Sequence, residues 1–287
     1  MERINTYYQL TKPGVLYGNV LTAVAGFFLA AAGSIDWAVF IAMLVGQTLV
    51  IASACVMNNY LDQDIDKIMK RTKKRPSVTG AVGDLQMRVF SAVLGIVGLI
   101  ILIIGTNWLV VTIGILGWVT YVWLYGALSK RKSIHGTLVG SISGAMPIAG
   151  GYAAVAGTVD LGLIIVFLIL FFWQFPEFYS IAVYRRKEYK AAGIPVMTVV
   201  KGNNLTIIQI FIYTILYVLS TLALTIAGYT GWIYFLIMLL SGLYWIWLGF
   251  QGLKAKDQET WARQMFRFSM IAILLLCVML SVGPLLP

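Results

Sequence analysis

Charge is what this 287-residue chain has least of. Only 11% of its residues are Asp, Glu, Lys or Arg and 60% are hydrophobic, whereas a soluble domain carries about a quarter charged residues. With a mean hydropathy of +0.87, that balance excludes a soluble globular domain. Cysteine is nearly missing too. Cys55 and Cys277 both sit inside apolar runs, which excludes a disulfide framework. The single histidine, His135, falls in a loop at a span border and is set aside as a ligand. The first twelve residues are polar, and the apolar run that follows passes Ala30 with no cleavage-like site, so no cleaved signal peptide is expected. No polar stretch is long enough for a separate soluble domain. Residues 1–287 read as one all-α integral-membrane domain.

Apolar runs fill the chain instead. A membrane-spanning helix needs about 20 of them in sequence, and nine such runs occur: 14–32, 37–57, 88–104, 108–128, 136–156, 161–182, 205–228, 232–251 and 266–285. The third is the shortest. Unpaired backbone groups are costly in lipid, so runs of this length must be helices. "GSISGAMPIAGG" (140–151) carries the small residues that let membrane helices approach closely, and it reads as a tightly packed helix rather than a catalytic loop.

The connections alternate. Those at 33–36, 105–107, 157–160 and 227–231 are short and hold no Lys or Arg. All 21 basic residues fall on the other side, in the N-terminal segment and the loops near 58–88, 129–135, 183–204 and 252–267. Basic loops stay cytoplasmic, which predicts the N-terminus inside, the C-terminus outside, and a multi-pass protein of the cell inner (plasma) membrane. Topology accounts for the net charge of +10 without any nucleic-acid partner.

Against this background "NNYLDQDIDKIMKRTKKRP" (58–76) stands out, with Asp62, Asp64 and Asp66 followed by six Lys or Arg between 67 and 75. Topology demands the bases; it does not demand the acids. Asn58, Asp62 and Asp66 lie four apart and form one stripe on a helix, with Asp64 off it. Two carboxylates and an amide at a membrane border suit Mg²⁺, which completes its shell with water and substrate phosphates. Arg71 and Arg75 in the basic run offer donors for those phosphates. The pattern points to a diphosphate held through a metal.

Two further clusters add to it. The loop at 125–136 supplies Tyr125, Lys130 and Arg131. In 172–202, Glu177 lies within an apolar span beside Pro176, which can kink a helix. Glu188 follows among Arg185, Arg186, Lys187 and Lys190. An ionisable group within a span is costly and usually functional, so Glu177 is expected to face a cavity and to have a basic or hydrogen-bonding partner.

The Asp-rich stretch, in the form Asn-Asn-x-x-Asp-x-x-x-Asp with an Arg-Thr-x-x-Arg tail, resembles the first motif of the UbiA superfamily of intramembrane prenyltransferases. "LTKPGVLYGNVLTAVAGFFLA", "GTLVGSISGAMPIAGGY" and "YRRKEYKAAGIPVMTVVKG" are similar, in that order, to its heme-farnesylating branch. The likeness covers essentially the whole chain. It implies nine helices around a central cavity, Mg²⁺ as cofactor, and farnesyl diphosphate and protoheme IX (heme b) as substrates giving heme O. A downstream heme A synthase or terminal-oxidase assembly would receive the product. It also implies roles: Asn58, Asp62, Asp66 and Glu188 on the metal; Arg71, Arg75, Lys130 and Arg131, with Tyr125, on the diphosphate; Asp62, Asp66, Glu188 and Glu177 as the catalytic acids. Glu188 stands where the family's second motif usually has Asp. "WQFPEF" puts Glu177 where the branch usually has His, which leaves Glu177 a polar role, orienting heme or relaying a proton, rather than iron ligation. A sibling prenyltransferase acting on an aromatic quinone precursor shares the Asp motif. A transporter fits nine helices and an intramembrane acid, but its site would lie nearer the midplane.

Overall fold

The computed structural model describes residues 2–287, and among these every regular element is helical. Nine helices are long and apolar enough to cross a membrane: Pro13–Ala31, Trp37–Leu61, Asp84–Gly105, Trp108–Lys132, Gly136–Ala156, Leu161–Tyr184, Asn203–Ile226, Trp232–Gly252 and Gln258–Leu285. They are called here the first to the ninth span, and the chain is a multi-pass membrane protein. The count and order match the hydropathy reading; several ends do not. The second span runs on to Leu61, so Asn58 belongs to it. The third is 22 residues long, and the ninth begins eight residues before the apolar run, because polar residues complete the turns of these helices at the end that carries the basic loops.

The acids of the short, base-free connections are helix caps. Asp36 accepts from the amides of Ala38 and Val39 at 2.9 and 3.1 Å, and Asp160 accepts from Leu163 at 2.8 Å. Each satisfies donors that a helix start leaves unpaired. Trp37, Trp108 and Trp232 open the second, fourth and eighth spans on that same side and are exposed, as expected for aromatic side chains at a membrane–water border.

Glycine decides how closely the inner helices meet. A side chain at Gly26 would strike the backbone of Ile148, and one at Gly151 the backbone of Ala23, so at these two points the main chains of the first and fifth spans come close. Gly144 leaves room for the amide of Gln174, which seats the sixth span against the fifth. The glycine-rich run is therefore a packing surface, as its composition suggests.

One departure from α-helix lies in the fourth span. After Trp108–Val119 the chain winds as a π-helix over Thr120–Ser129, closed by a bond from the amide of Lys130 to the carbonyl of Tyr125. Such i→i+5 winding is rare and concentrates at functional sites. It keeps Tyr125 and Lys130, five apart, on the same face. At the end that carries the basic loops, the short helix Gln63–Ile68 and the segment after the sixth span meet through Ile65, Met69 and Ile194, which closes the two acidic loops over one opening.

Candidate active site

A cavity of roughly 790 Å³ lies between the first, second, fourth, fifth, sixth and ninth spans. Its inner wall is apolar, formed by residues such as Val50, Ile113, Leu170, Met270 and Ile273, and its mouth, on the side of the basic loops, is charged.

The Asp-rich stripe forms one side of that mouth. The second span ends at Leu61 and a new helix starts at Gln63, but the amides of Asp62 and Asp66 still bond to the carbonyls of Asn58 and Asp62 at 3.0 and 2.8 Å. The near-helical register therefore survives the break. Asn58, Asp62 and Asp66 are 2%, 1% and 3% exposed, and all three line the cavity. Asp64 points away, its side chain 67% exposed. The four-residue spacing thus separates the cavity-facing residues from the outward-facing one.

Each buried acid faces a cation. Arg75 Nη1 donates to Asp66 Oδ2 at 2.6 Å, and the Thr72 hydroxyl donates to the Asp66 carbonyl at 3.0 Å, which folds the Arg-Thr-x-x-Arg tail back onto the stripe. Lys130 Nζ donates to Asp62 Oδ2 at 2.5 Å and lies 5.9 Å from the centre of the Tyr125 ring. Tyr125 in turn stacks on Tyr121. Burying a charge is costly unless it is paired, and these pairs meet that demand only in part: Asp62 Oδ1 is buried without a hydrogen-bond partner. A dicarboxylate with an unsatisfied buried oxygen, opening into a cavity, fits a divalent cation that takes its remaining ligands from water and phosphate.

Of the residues singled out from sequence, Asn58, Asp62, Asp66, Arg71, Arg75, Tyr125, Lys130 and Glu177 all line the cavity. Two do not. Arg131 is turned outward, its guanidinium forked on Asp64 at 2.7 Å to each oxygen, and this hydrogen bond holds the Asp64 carboxyl below the usual carboxylate range. Glu188 is held by Arg185 Nη1 at 3.0 Å; Arg185 lines the cavity and Glu188 does not. Among the described residues no group of three or more His, Cys, Asp or Glu is close enough to share a metal, so Glu188 does not join Asp62 and Asp66. Asn58 is in place, but its oxygen accepts from Lys12 Nζ. Glu177 faces the cavity as expected, yet no hydrogen bond or ion pair joins it to another described residue, so the expected partner is missing.

Lys12 is the residue that sequence reading overlooked, counted there only as a topological charge. It sits just before Pro13 with φ +53°, a left-handed conformation that costs a non-glycine residue about 1–2 kcal/mol. This turn swings the side chain from the surface helix Glu2–Leu10 into the mouth. Burial, and then the nearby Arg75, push its ammonium pKa down to about 8. A lysine between a polar helix and a proline that opens an apolar run was the available signal.

Gln174 also escaped notice. Its amide nitrogen donates to the carbonyls of Ser141 and Leu170 at 3.0 and 2.9 Å, which leaves its oxygen as the free acceptor on a cavity-lining side chain, one turn before Glu177.

Comparison with known proteins agrees with this architecture. The UbiA prenyltransferase family matches residues 19–271. The protoheme IX farnesyltransferase of Yersinia enterocolitica is 44% identical over 279 residues, covering 97% of this chain and 94% of that protein. The enzyme of the same name from Photorhabdus laumondii is 43% identical and covers 99% and 97% of the two chains. Among solved structures, a digeranylgeranylglyceryl phosphate synthase superposes with a TM-score of 0.83 at 19% identity, over 99% of both chains. A UbiA homolog from Archaeoglobus fulgidus, bound to GPP and Mg²⁺, does so with 0.73 at 13% identity, over 96% of this chain and all of that one. Likeness at such low identity speaks for the fold; the full-length identity to the two farnesyltransferases speaks for more. The chain belongs to the UbiA prenyltransferase family, in the group of the protoheme IX farnesyltransferases.

Proposed function

We propose that the chain transfers the farnesyl group of farnesyl diphosphate to a vinyl group of protoheme IX, producing heme O. The observation that carries this reading is the pairing of a metal-suited dicarboxylate, Asp62 and Asp66, with a ring of cavity-facing cations at the mouth of an apolar chamber. Such a chamber accepts a prenyl chain inward and a diphosphate at the rim. The relatives named for this reaction supply the acceptor.

Asp62 and Asp66 would hold Mg²⁺, which would supply positive charge beside the leaving diphosphate. The chain's own groups do the rest. Arg71, Arg75 and Lys130, with Lys12 and Arg185, surround the rim and stabilise the same developing charge in a site shielded from water. Farnesyl carbon then bonds to the vinyl terminus and water closes the adjacent cation to a hydroxyl, so bulk water must be kept from the allylic cation first. The apolar wall and the stacked Tyr121 and Tyr125 serve that exclusion. Arg185, which lines the cavity and is paired with Glu188 at 3.0 Å, can exchange that partner for phosphate.

The test is the heme present in membranes of a heme-O-deficient host with and without this chain. Heme O should accumulate only with it, and only when farnesyl diphosphate is available. A host that instead accumulates a prenylated quinone precursor would assign the chain to a sibling reaction.

The charge asymmetry supports a mouth that opens to the cytoplasm from the inner membrane, with the N-terminus inside and the C-terminus outside. Both native cysteines are buried, so an impermeant maleimide has little background. Asp36→Cys and Asp160→Cys should label in intact spheroplasts, and Lys70→Cys, Lys187→Cys and Lys256→Cys only after lysis. The opposite pattern would invert the topology.

A further inference from the structure

We propose that Arg131 is a positioning residue, a staple across the helix break at Asp62 that aims the Asp62 carboxylate into the cavity, and not a phosphate ligand. The inference rests on the metal–diphosphate reading of the mouth. Its basis is geometric. Where the second span gives way to Gln63–Ile68, the Leu61 carbonyl has no backbone donor among the hydrogen bonds that join the two helices. Arg131 Nη2 occupies that carbonyl at 2.5 Å. The same guanidinium grips both oxygens of Asp64 at 2.7 Å, and it stands 3.9 Å from Asp62 Oδ1.

Arg131 thus holds the residues on either side of Asp62 from the end of the fourth span. Asp62 itself, with φ −94° and ψ 5°, is the point where the two helices hinge. A planar fork with several donors can serve a carbonyl and a carboxylate at once, which an ammonium cannot do in the same geometry. Lys130, one residue earlier, points into the mouth and bonds the other oxygen of Asp62. Adjacent cations therefore divide the work: Lys130 faces the substrate side and Arg131 braces the backbone behind it. Groups that orient a metal ligand typically matter about 10–100-fold to metal affinity when removed.

The experiment uses the full-length protein in detergent, with Mn²⁺ as the paramagnetic probe of the metal site and a non-ionising thio-analogue of farnesyl diphosphate present at saturation. Mn²⁺ binding is titrated by electron paramagnetic resonance for wild type, Arg131→Ala, Arg131→Lys and Asp64→Asn. The KM for farnesyl diphosphate is measured separately at saturating Mg²⁺. Arg131→Ala should weaken Mn²⁺ by at least about tenfold and leave that KM unchanged. Arg131→Lys keeps the charge without the fork, so it should also weaken Mn²⁺; it is the informative variant if the alanine chain does not fold. Asp64→Asn keeps the bond to Leu61 and should have the smallest effect. Unchanged Mn²⁺ affinity with a raised diphosphate KM would make Arg131 a phosphate contact and overturn the proposal. A wild-type chain that takes up no Mn²⁺ would remove the metal site itself, and the staple's purpose with it.

Discussion

Asp62→Asn is expected to lower prenyl transfer by about 10²–10³-fold, the usual cost of removing one preorganised electrostatic group from an active site. The protein should remain folded and inserted in the membrane. Asp62 is almost fully buried, but it lies at the cavity rim and its neighbours are Lys130 and Arg131. An amide of the same shape still accepts from Lys130, so the main loss is the negative charge that a divalent cation requires. Asp66→Asn should lose comparable activity for the same reason. Its effect on stability should be similar, because Arg75, like Lys130, then keeps its charge opposite an amide instead of a carboxylate; breaking a buried pair outright costs up to about 3–5 kcal/mol, and the retained hydrogen bond and the partial exposure of both cations reduce that figure. Asp64→Asn should be mild by comparison, since its carboxylate faces solvent and Arg131. Turnover with purified protein across a Mg²⁺ series, beside melting curves in detergent, separates chemistry from folding. Equal losses from all three substitutions would refute the division of this stretch into a cavity face and an outer face.

The second large effect concerns Glu177. Glu177→Leu is expected to reduce heme O formation by about 10²-fold, the lower range for a positioned acid or base, without changing the KM for farnesyl diphosphate. The two substrates separate in this way because the diphosphate groups gather at the mouth, whereas Glu177 sits on the sixth span one turn from Gln174 and forms no shared ligand group with Asp62 and Asp66. No hydrogen bond or ion pair from another described residue engages its carboxylate, which leaves it open to what enters the cavity. Glu177→His restores a polar group at this position and should keep most activity. Heme binding followed by Soret absorbance, with kcat and both KM values, distinguishes a role in seating heme from one in moving a proton: the first shifts heme affinity and the second shifts kcat alone. Full activity of Glu177→Leu with heme would show that the residue is a bystander.

Much of this molecule could be read before any coordinates. Nine spans follow from hydropathy because an unpaired backbone is intolerable in lipid, which leaves a long apolar run no choice but helix. Spacing alone puts Asn58, Asp62 and Asp66 on one face, and they share it even though the helix breaks at Asp62, because the i→i−4 bonds of Asp62 and Asp66 persist across the break. The glycines of 140–151 announced close packing, and Gly144 and Gly151 each lie where a side chain would collide.

What the chain determined by itself is therefore what depends on local rules: span number, charge sidedness, and the composition and face of the acidic stripe. The tertiary structure alone decided which cation meets which acid. Lys130 and Arg131 are neighbours of the same charge, and no pattern in "YGALSKRKS" separates them. The π-helical turn before them and the carbonyl left open at Leu61 send one inward and the other outward. Lys12 enters the mouth through a left-handed turn that its residue type disfavours. Glu188 is held at Arg185, away from Asp62 and Asp66. Glu188 is held locally, three residues from Arg185, but the contacts of Lys12, Lys130 and Arg131 join groups far apart in sequence, and their energies depend on distances between helices that exist only once the bundle has closed.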